Sequence, residues 1–359
     1  MDGAGGVAGL RMLGIRVVAG LGVGVVIRLE TDTRTDLPKC QKPQLDVGAL
    51  WSGWYPERPS GVSGSGVGGM YRVGDRVLRV QARLTDRDRL LLGWLADHQV
   101  LTTFQIAHAL FGSLDFAQRR LLKLYRLGLV DRFRTLRAGG GSYPWHYVLD
   151  QIGAEFVAAS RGEKPPRPAE TVERKRRVAA SRTLGHRLGV NQFFTDLAGY
   201  TRTQPQARLE RWWSEQQCAR PGAFAMSLVS PVRPDGHGVF AEDGRRLAFF
   251  LEWDSGGEPL RILVSKLSGY ASHVRKGGRG WPVLFSLPTV VREGNLHRML
   301  QEVNAVLPLA TTARDSLDAD GGPADAVWLV HGGSDAPRRL IDLAGLGDPA
   351  PEPELSDVV

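Results

Sequence analysis

Cysteine is nearly missing from this 359-residue chain, which has only Cys40 and Cys218. The two stand far apart and match no metal or redox spacing. That excludes a disulfide-stapled fold, a zinc finger and a thioredoxin-like site, and fits a reducing, cytoplasmic compartment. No two of the eight histidines occur as His-x-His. Long apolar runs are lacking too. VVAGLGVGVVI, Val17–Ile27, spans eleven residues, short of the roughly 20 that a membrane helix needs. Arg11 and Arg16 precede it, as in a signal peptide, but Asp2 leads the chain and no clear cleavage site follows. Gly20, Gly22 and Gly24 lack the acidic partner and βαβ frame of a dinucleotide site. No membrane partner is expected.

Acidic residues are scarce until the end of the chain. The net charge is +8, yet from Asp315 onward ten acidic residues face only Arg338 and Arg339, a net of −8 that leaves +16 for the first 314 residues. A body so basic points to nucleic acid or another anionic surface. PERPSGVSGSGVGG, Pro56–Gly69, has linker composition, as does KPPRPAE, Lys164–Glu170. The chain therefore divides into a poorly ordered Gly-rich leader (1–83), two folded domains (84–162 and 163–333) and a solvated acidic tail (334–359).

The first folded block opens at Thr85, a helix N-cap followed by Asp86 and Asp88 where the helix dipole favours acid. Leu90, Leu91, Trp94 and Leu95 follow at helical spacing. Thr102 or Thr103 starts a second helix and Ser113 a third, with Phe116, Leu121, Leu124 and Leu127 expected in the core and Gly128 as the stop. Two alternating strands around Gly139–Gly141 complete a winged helix-turn-helix pattern. The third helix exposes Gln118, Arg119, Arg120, Lys123 and Arg126, and the wing carries Arg132, Arg134 and Arg137. These are the expected contacts to double-stranded DNA, mostly to its phosphates.

The second block begins with what reads as one helix from Glu170 to Tyr200, in which His186 and Asn191 are expected to pack or hydrogen-bond rather than serve a site. The order thereafter is β-β-β-α-β-α-β, the last strand being AVWLVH, residues 326–331. In RPDGHGVFAEDGRRLAFFLEWDSG, Arg233–Gly256, alternation puts Glu252 and Asp254 on one strand face and Trp253 on the other. Carboxylates so close repel one another unless a cation or proton joins them. Lys266 adjoins the apolar stripe Leu260, Leu263, Leu267 and Tyr270 of the next helix, whence its long stem reaches back over the sheet.

This α+β pattern resembles the restriction-endonuclease-like nucleases, whose motif is written PD-(D/E)xK. Pro234-Asp235 and Glu252 occupy the motif positions, and Asp254 stands where its lysine is usual. Together with the winged helix, the stretch Leu84–Val330 resembles the replication-relaxation family of plasmid and integrative-element proteins, itself similar to MOBC-class relaxases. The resemblance implies strand cleavage at a plasmid origin, with Asp235, Glu252 and Lys266 catalytic. Asp235, Glu252 and Asp254 would hold Mg²⁺ or Mn²⁺, and Asp254 could instead orient Lys266. Tyr270 is a candidate nucleophile or a core residue. Relaxosome or transfer proteins are candidate partners. The other reading is a non-catalytic DNA-binding regulator of replication or transfer, its degenerate nuclease fold kept for dimerisation. A restriction or repair nuclease would share the chemistry but not the setting.

Overall fold

The computed structural model describes residues 73–134, 143–224, 232–303, 305, 307–317 and 321–352. The leader before Val73, Cys40 and Arg137 lie outside these. Residues 73–83, expected to belong to the poorly ordered leader, include a helix. Helix α1, Val73–Gln81, buries Val77 and Val80 against the body, a stripe too short to stand out beside the Gly-rich leader.

Local caps set the next three helices. Thr85 accepts from the Asp88 backbone while Asp88 accepts from the Thr85 N–H at 2.7 Å, opening α2, Asp86–His98. Thr102 and Gln105 repeat the device for α3, Thr103–Leu110, and Ser113 caps α4, Leu114–Arg126. Short strands β1 (Leu101–Thr102), β2 (Val130–Phe133) and β3 (His146–Leu149) form an antiparallel sheet in the order β1-β3-β2. On α4 the buried stripe is Ala117, Leu121 and Leu124. Phe116, expected in the core, is 54 % exposed. It precedes Ala117 and so points about 100° round the helix from that stripe.

Two further helices, α5 (Gln151–Ser160) and α6 (Pro168–Ala179), lead to α7 (Leu184–Thr203). The single helix expected from Glu170 to Tyr200 is thus two, broken at Ala180–Thr183, where the Ser181 hydroxyl accepts from the Thr183 N–H. From α7 the chain enters β4 (Ala207–Ser214), a turn of helix α8 (Glu215–Cys218), and then β5 (Gly236–Glu242) and β6 (Arg245–Trp253). Asp243 and Gly244, both at positive φ, close the β5–β6 hairpin. Helix α9 (Leu260–Arg275), β7 (Val283–Leu287), α10 (Val290–Glu302), β8 (Leu309–Ala313) and β9 (Leu329–Val330) complete the order β4-β5-β6-β7-β8-β9. Strands β6, β7 and β8 run parallel. Strand β8 was not anticipated, and AVWLVH supplies only the short antiparallel edge β9.

One core spans both blocks expected as separate domains, joining Leu91 and Ile106 to Phe194, Trp212, Phe249 and Trp328. Phe194 stacks on Trp212 at 5.2 Å between ring centres and Phe193 meets Phe249 at 5.9 Å, which clamps α7 to the sheet. Each such buried ring contributes roughly 1.5–3 kcal/mol. A second core fills the other sheet face, with Phe250, Phe285, Leu267, Tyr270 and Leu296. The region from 334 is not a free tail as far as it is described. Leu340, Ile341 and Leu343 are fully buried, and Asp348 accepts from the Gly280 N–H at 2.8 Å.

Candidate functional site

The hairpin register pairs Gly236 with Leu251, which sets Asp235 and Glu252 across from each other at its open end. Parity along β6 sends Glu252 with Phe250 toward α9, and Trp253 with Leu251 toward α7. Asp235 accepts from the Trp253 backbone N–H at 2.8 Å, and its other oxygen lies 3.1 Å from His186 Nε2. Glu252, 2 % exposed, is met by Lys266 Nζ and by the Tyr270 hydroxyl, which donates at 2.6 Å. Lys266 and Tyr270 stand four positions apart on α9 and therefore share a face. Three elements thus bring Asp235, Glu252 and Lys266 together.

Asp254 does not join them. It lies beyond the last residue of β6, where the chain leaves the sheet. Arg292 of α10 grips its carboxylate, and the Gly256 N–H donates to it at 2.8 Å. Asp254 lines the same cleft, but its carboxylate is held by Arg292 and makes no bond to Lys266. Arg314 braces the same strand end, donating to the carbonyls of Asp254 (2.7 Å) and Ser286 (2.6 Å) and stacking 3.9 Å over Trp253.

Helix α7 supplies what the sequence reading missed. A side chain at Gly189 would collide with the Trp253 indole, since a Cβ there would lie 2.2 Å from Nε1. Glycine lets α7 press onto the end of β6, and its first turn then brings His186 between Asp235 and Ser255, the latter 3.3 Å from Nδ1. No spacing in the sequence links His186 to Asp235, and its surroundings on the helix are ordinary. Asn191 has the structural role expected of it, donating to the carbonyls of Val100 (2.7 Å) and His98 (3.3 Å).

The charges are strongly coupled. Burial, and then the Asp235 carboxylate, push Glu252 up to about 7 against the pull of Lys266 and Tyr270. Burial alone would depress Lys266, but Glu252 and Asp235 outweigh it and hold the ammonium above its usual value. The hydrogen bond to Asp235 raises His186 despite its burial. Burial, reinforced by Glu252, raises the Tyr270 hydroxyl well above its ordinary value. Asp235, Glu252, Lys266 and His186 line a cleft of about 800 Å³ bounded by α7, the end of α2, the β4–α8 junction and the start of α9. Among the described residues no group of three or more His, Cys, Asp or Glu side chains is arranged to hold a metal. Two facing carboxylates nonetheless fit a hard divalent cation of the Mg²⁺ kind, which takes one or two carboxylates together with substrate phosphates.

On α4, Gln118, Arg119, Lys123 and Arg126 are exposed, and Arg119 pairs with exposed Asp115 at 2.7 Å. Arg120 departs from the expectation of a DNA contact. It turns inward to the buried Asp88 carboxylate and donates to the Arg83 carbonyl at 3.1 Å, because a buried carboxylate needs a counter-ion. On the β2–β3 ribbon, Arg132 and Arg134 stack on Trp145 at 4.2 and 4.4 Å.

The family model described as Replication-relaxation matches residues 92–285. That stretch is more than half of the chain and holds α3, α4 and every side chain of the Asp235–Glu252–Lys266 cluster. No curated protein matches the chain.

Proposed function

The chain belongs to the replication-relaxation family, and from that premise we propose that it binds DNA of a plasmid or integrative element and nicks one strand at an origin in a metal-dependent reaction. In this reading α2–α4 with β1–β3 form a winged helix, and the six-stranded unit is restriction-endonuclease-like. The supporting observation is the convergence on one cleft of Asp235 just before β5, Glu252 of β6 and Lys266 of α9. Asp235 and Glu252 would hold Mg²⁺ or Mn²⁺. When bound, the ion supplies Lewis-acid neutralisation of the phosphate. Lys266 then turns from Glu252 toward charge developing on the scissile phosphate. The Tyr270 hydroxyl, buried and committed to Glu252, holds that carboxylate in place and leaves attack to water. Gln118, Arg119, Lys123 and Arg126 present the exposed face of α4 to the major groove, and Arg134 reaches the backbone from the wing.

The test is nicking of supercoiled plasmid with and without Mn²⁺. Metal-dependent open circles that vanish in Asp235→Ala and Glu252→Ala support the reading. One observation favours the regulator instead: every oxygen of Asp235 and Glu252 already has a protein donor, and Asp254 is held by Arg292. If calorimetry detects no Mg²⁺ or Mn²⁺ binding even with DNA present, the non-catalytic reading replaces the nuclease.

A further inference from the structure

Several cations around the cleft are already engaged by the protein. Lys266 meets Glu252, Arg292 meets Asp254, and Arg314 is spent on two carbonyls and the Trp253 ring. Arg187 differs. It lies on the first turn of α7, beside His186, is half-buried and lines the cleft, yet its guanidinium makes no hydrogen bond or ion pair with the described residues. Burial lowers its guanidinium below the usual value, with only Glu215 opposing. Removing a cation from water without a partner costs free energy. Elsewhere this fold meets that cost with an anion at Arg120–Asp88, and with carbonyls and a ring at Arg314. At Arg187 an anion entering the cleft would add to the weak counter-charge of Glu215.

The rest of the lining selects that anion. Asp235, Glu252 and Glu215 repel a small free carboxylate, whereas a nucleic-acid strand carries a phosphate at every step, so one can face Lys266 while a neighbour meets Arg187. A guanidinium fork matches two phosphate oxygens at once. Arg182, exposed one turn earlier on the same lip, extends the positive edge. We propose that Arg187 is a phosphate-positioning residue, gripping the backbone phosphate next to the one presented to Asp235, Glu252 and Lys266. This rests on the reading of the cleft as a strand-cleavage site, and it adds where the strand is held.

The test uses the full chain without divalent metal and a fluorescent single-stranded oligonucleotide, read by anisotropy across a salt series. Arg187→Ala should weaken binding about tenfold and shallow the slope of log K against log salt by about 0.7, one single-strand phosphate contact. Arg187→Lys, which keeps the charge but not the fork, should restore the salt slope and only part of the affinity. A strand with neutral methylphosphonate linkages should bind wild type and Arg187→Ala alike. If Arg187→Ala fails to fold, Arg187→Gln, neutral and still long, carries the same comparison. An unchanged affinity and slope in the neutral variant, or no strand binding by the wild type, overturns the proposal. Plasmid nicking by the same preparations separates the two ideas. Strand binding through Arg187 without metal-dependent nicking removes the nuclease and keeps the phosphate site. Nicking with Arg187→Ala binding unchanged does the reverse.

Discussion

On α4 the charged side chains stand in solvent, whereas in the cleft at the end of β6 they are half-buried and mostly bonded to one another. Arg119 and Asp115 show the first pattern, with 71 % and 75 % of their side chains exposed. Lys266 and Glu252 show the second, at 37 % and 3 %. An exposed charge interacts through water and salt, so removing it changes little but its own contact. A buried charge is balanced by specific neighbours, so removing one leaves the others uncompensated. The same substitution therefore has different consequences in the two places.

The largest effect belongs to the cleft. Asp235→Ala and Glu252→Ala should each lower plasmid nicking by roughly 10²–10³-fold or more, and Lys266→Ala by about 10²-fold. Duplex binding through α4 should persist in all three. Gel-shift titrations beside the nicking assay check this, and loss of duplex binding in Asp235→Ala would break the separation between the two regions.

The boundary between the patterns runs through α4 itself. Arg119 and Arg120 are neighbours, but Arg120 is 17 % exposed and Asp88, its partner, 1 %. Arg120→Ala strands the Asp88 carboxylate in the core and should cost about 3–5 kcal/mol. Arg119→Ala should cost less than about 1 kcal/mol. Urea unfolding of both variants measures the difference, and equal midpoints would show that burial does not decide the outcome here.

That pair also marks how far the sequence could be read. Caps at Thr85, Thr102 and Ser113, and Asp235, Glu252 and Lys266 as a set, were legible, because each is signalled by residues near one another, by strand parity or by the apolar stripe of its helix. Which way Arg120 turns was not, since Asp88 lies on another helix. His186 escaped for the same reason: it meets Asp235 only because Gly189 admits Trp253. Asp254 looked like a third ligand by alternation, but parity ends with the strand, and Arg292 from α10 claims the carboxylate. The packed segment around Leu340–Leu343 was hidden by acidic composition, although three apolar residues there fill the core.

A smaller effect follows from pH. Glu252 is pushed from 4.5 up to about 7, first by burial and then by Asp235. A carboxyl raised on folding adds stability while it stays protonated; the contribution is complete below about 4.5 and gone above about 7. The wild type should therefore lose melting temperature across that window relative to Glu252→Gln, which cannot ionise there. Parallel melting profiles from about pH 5 to about pH 8 would exclude the coupling. Adding Mn²⁺ at the upper end should return stability to the wild type more than to the variant.

The smallest effects are expected on α4, where they are also the most additive. Lys123 and Arg126 are exposed and lie close to one turn apart on the same helix. If each meets one duplex phosphate, Lys123→Ala and Arg126→Ala should each shallow the salt dependence of duplex affinity by about 0.9. The double variant should lose the sum, because solvent separates the two contacts and neither supports the other's geometry. Neither should alter the free energy of urea unfolding by more than about 0.5 kcal/mol. A slope that does not move would place the duplex elsewhere on the molecule. A loss far beyond the sum would mean that α4, like the cleft, holds its charges as a unit.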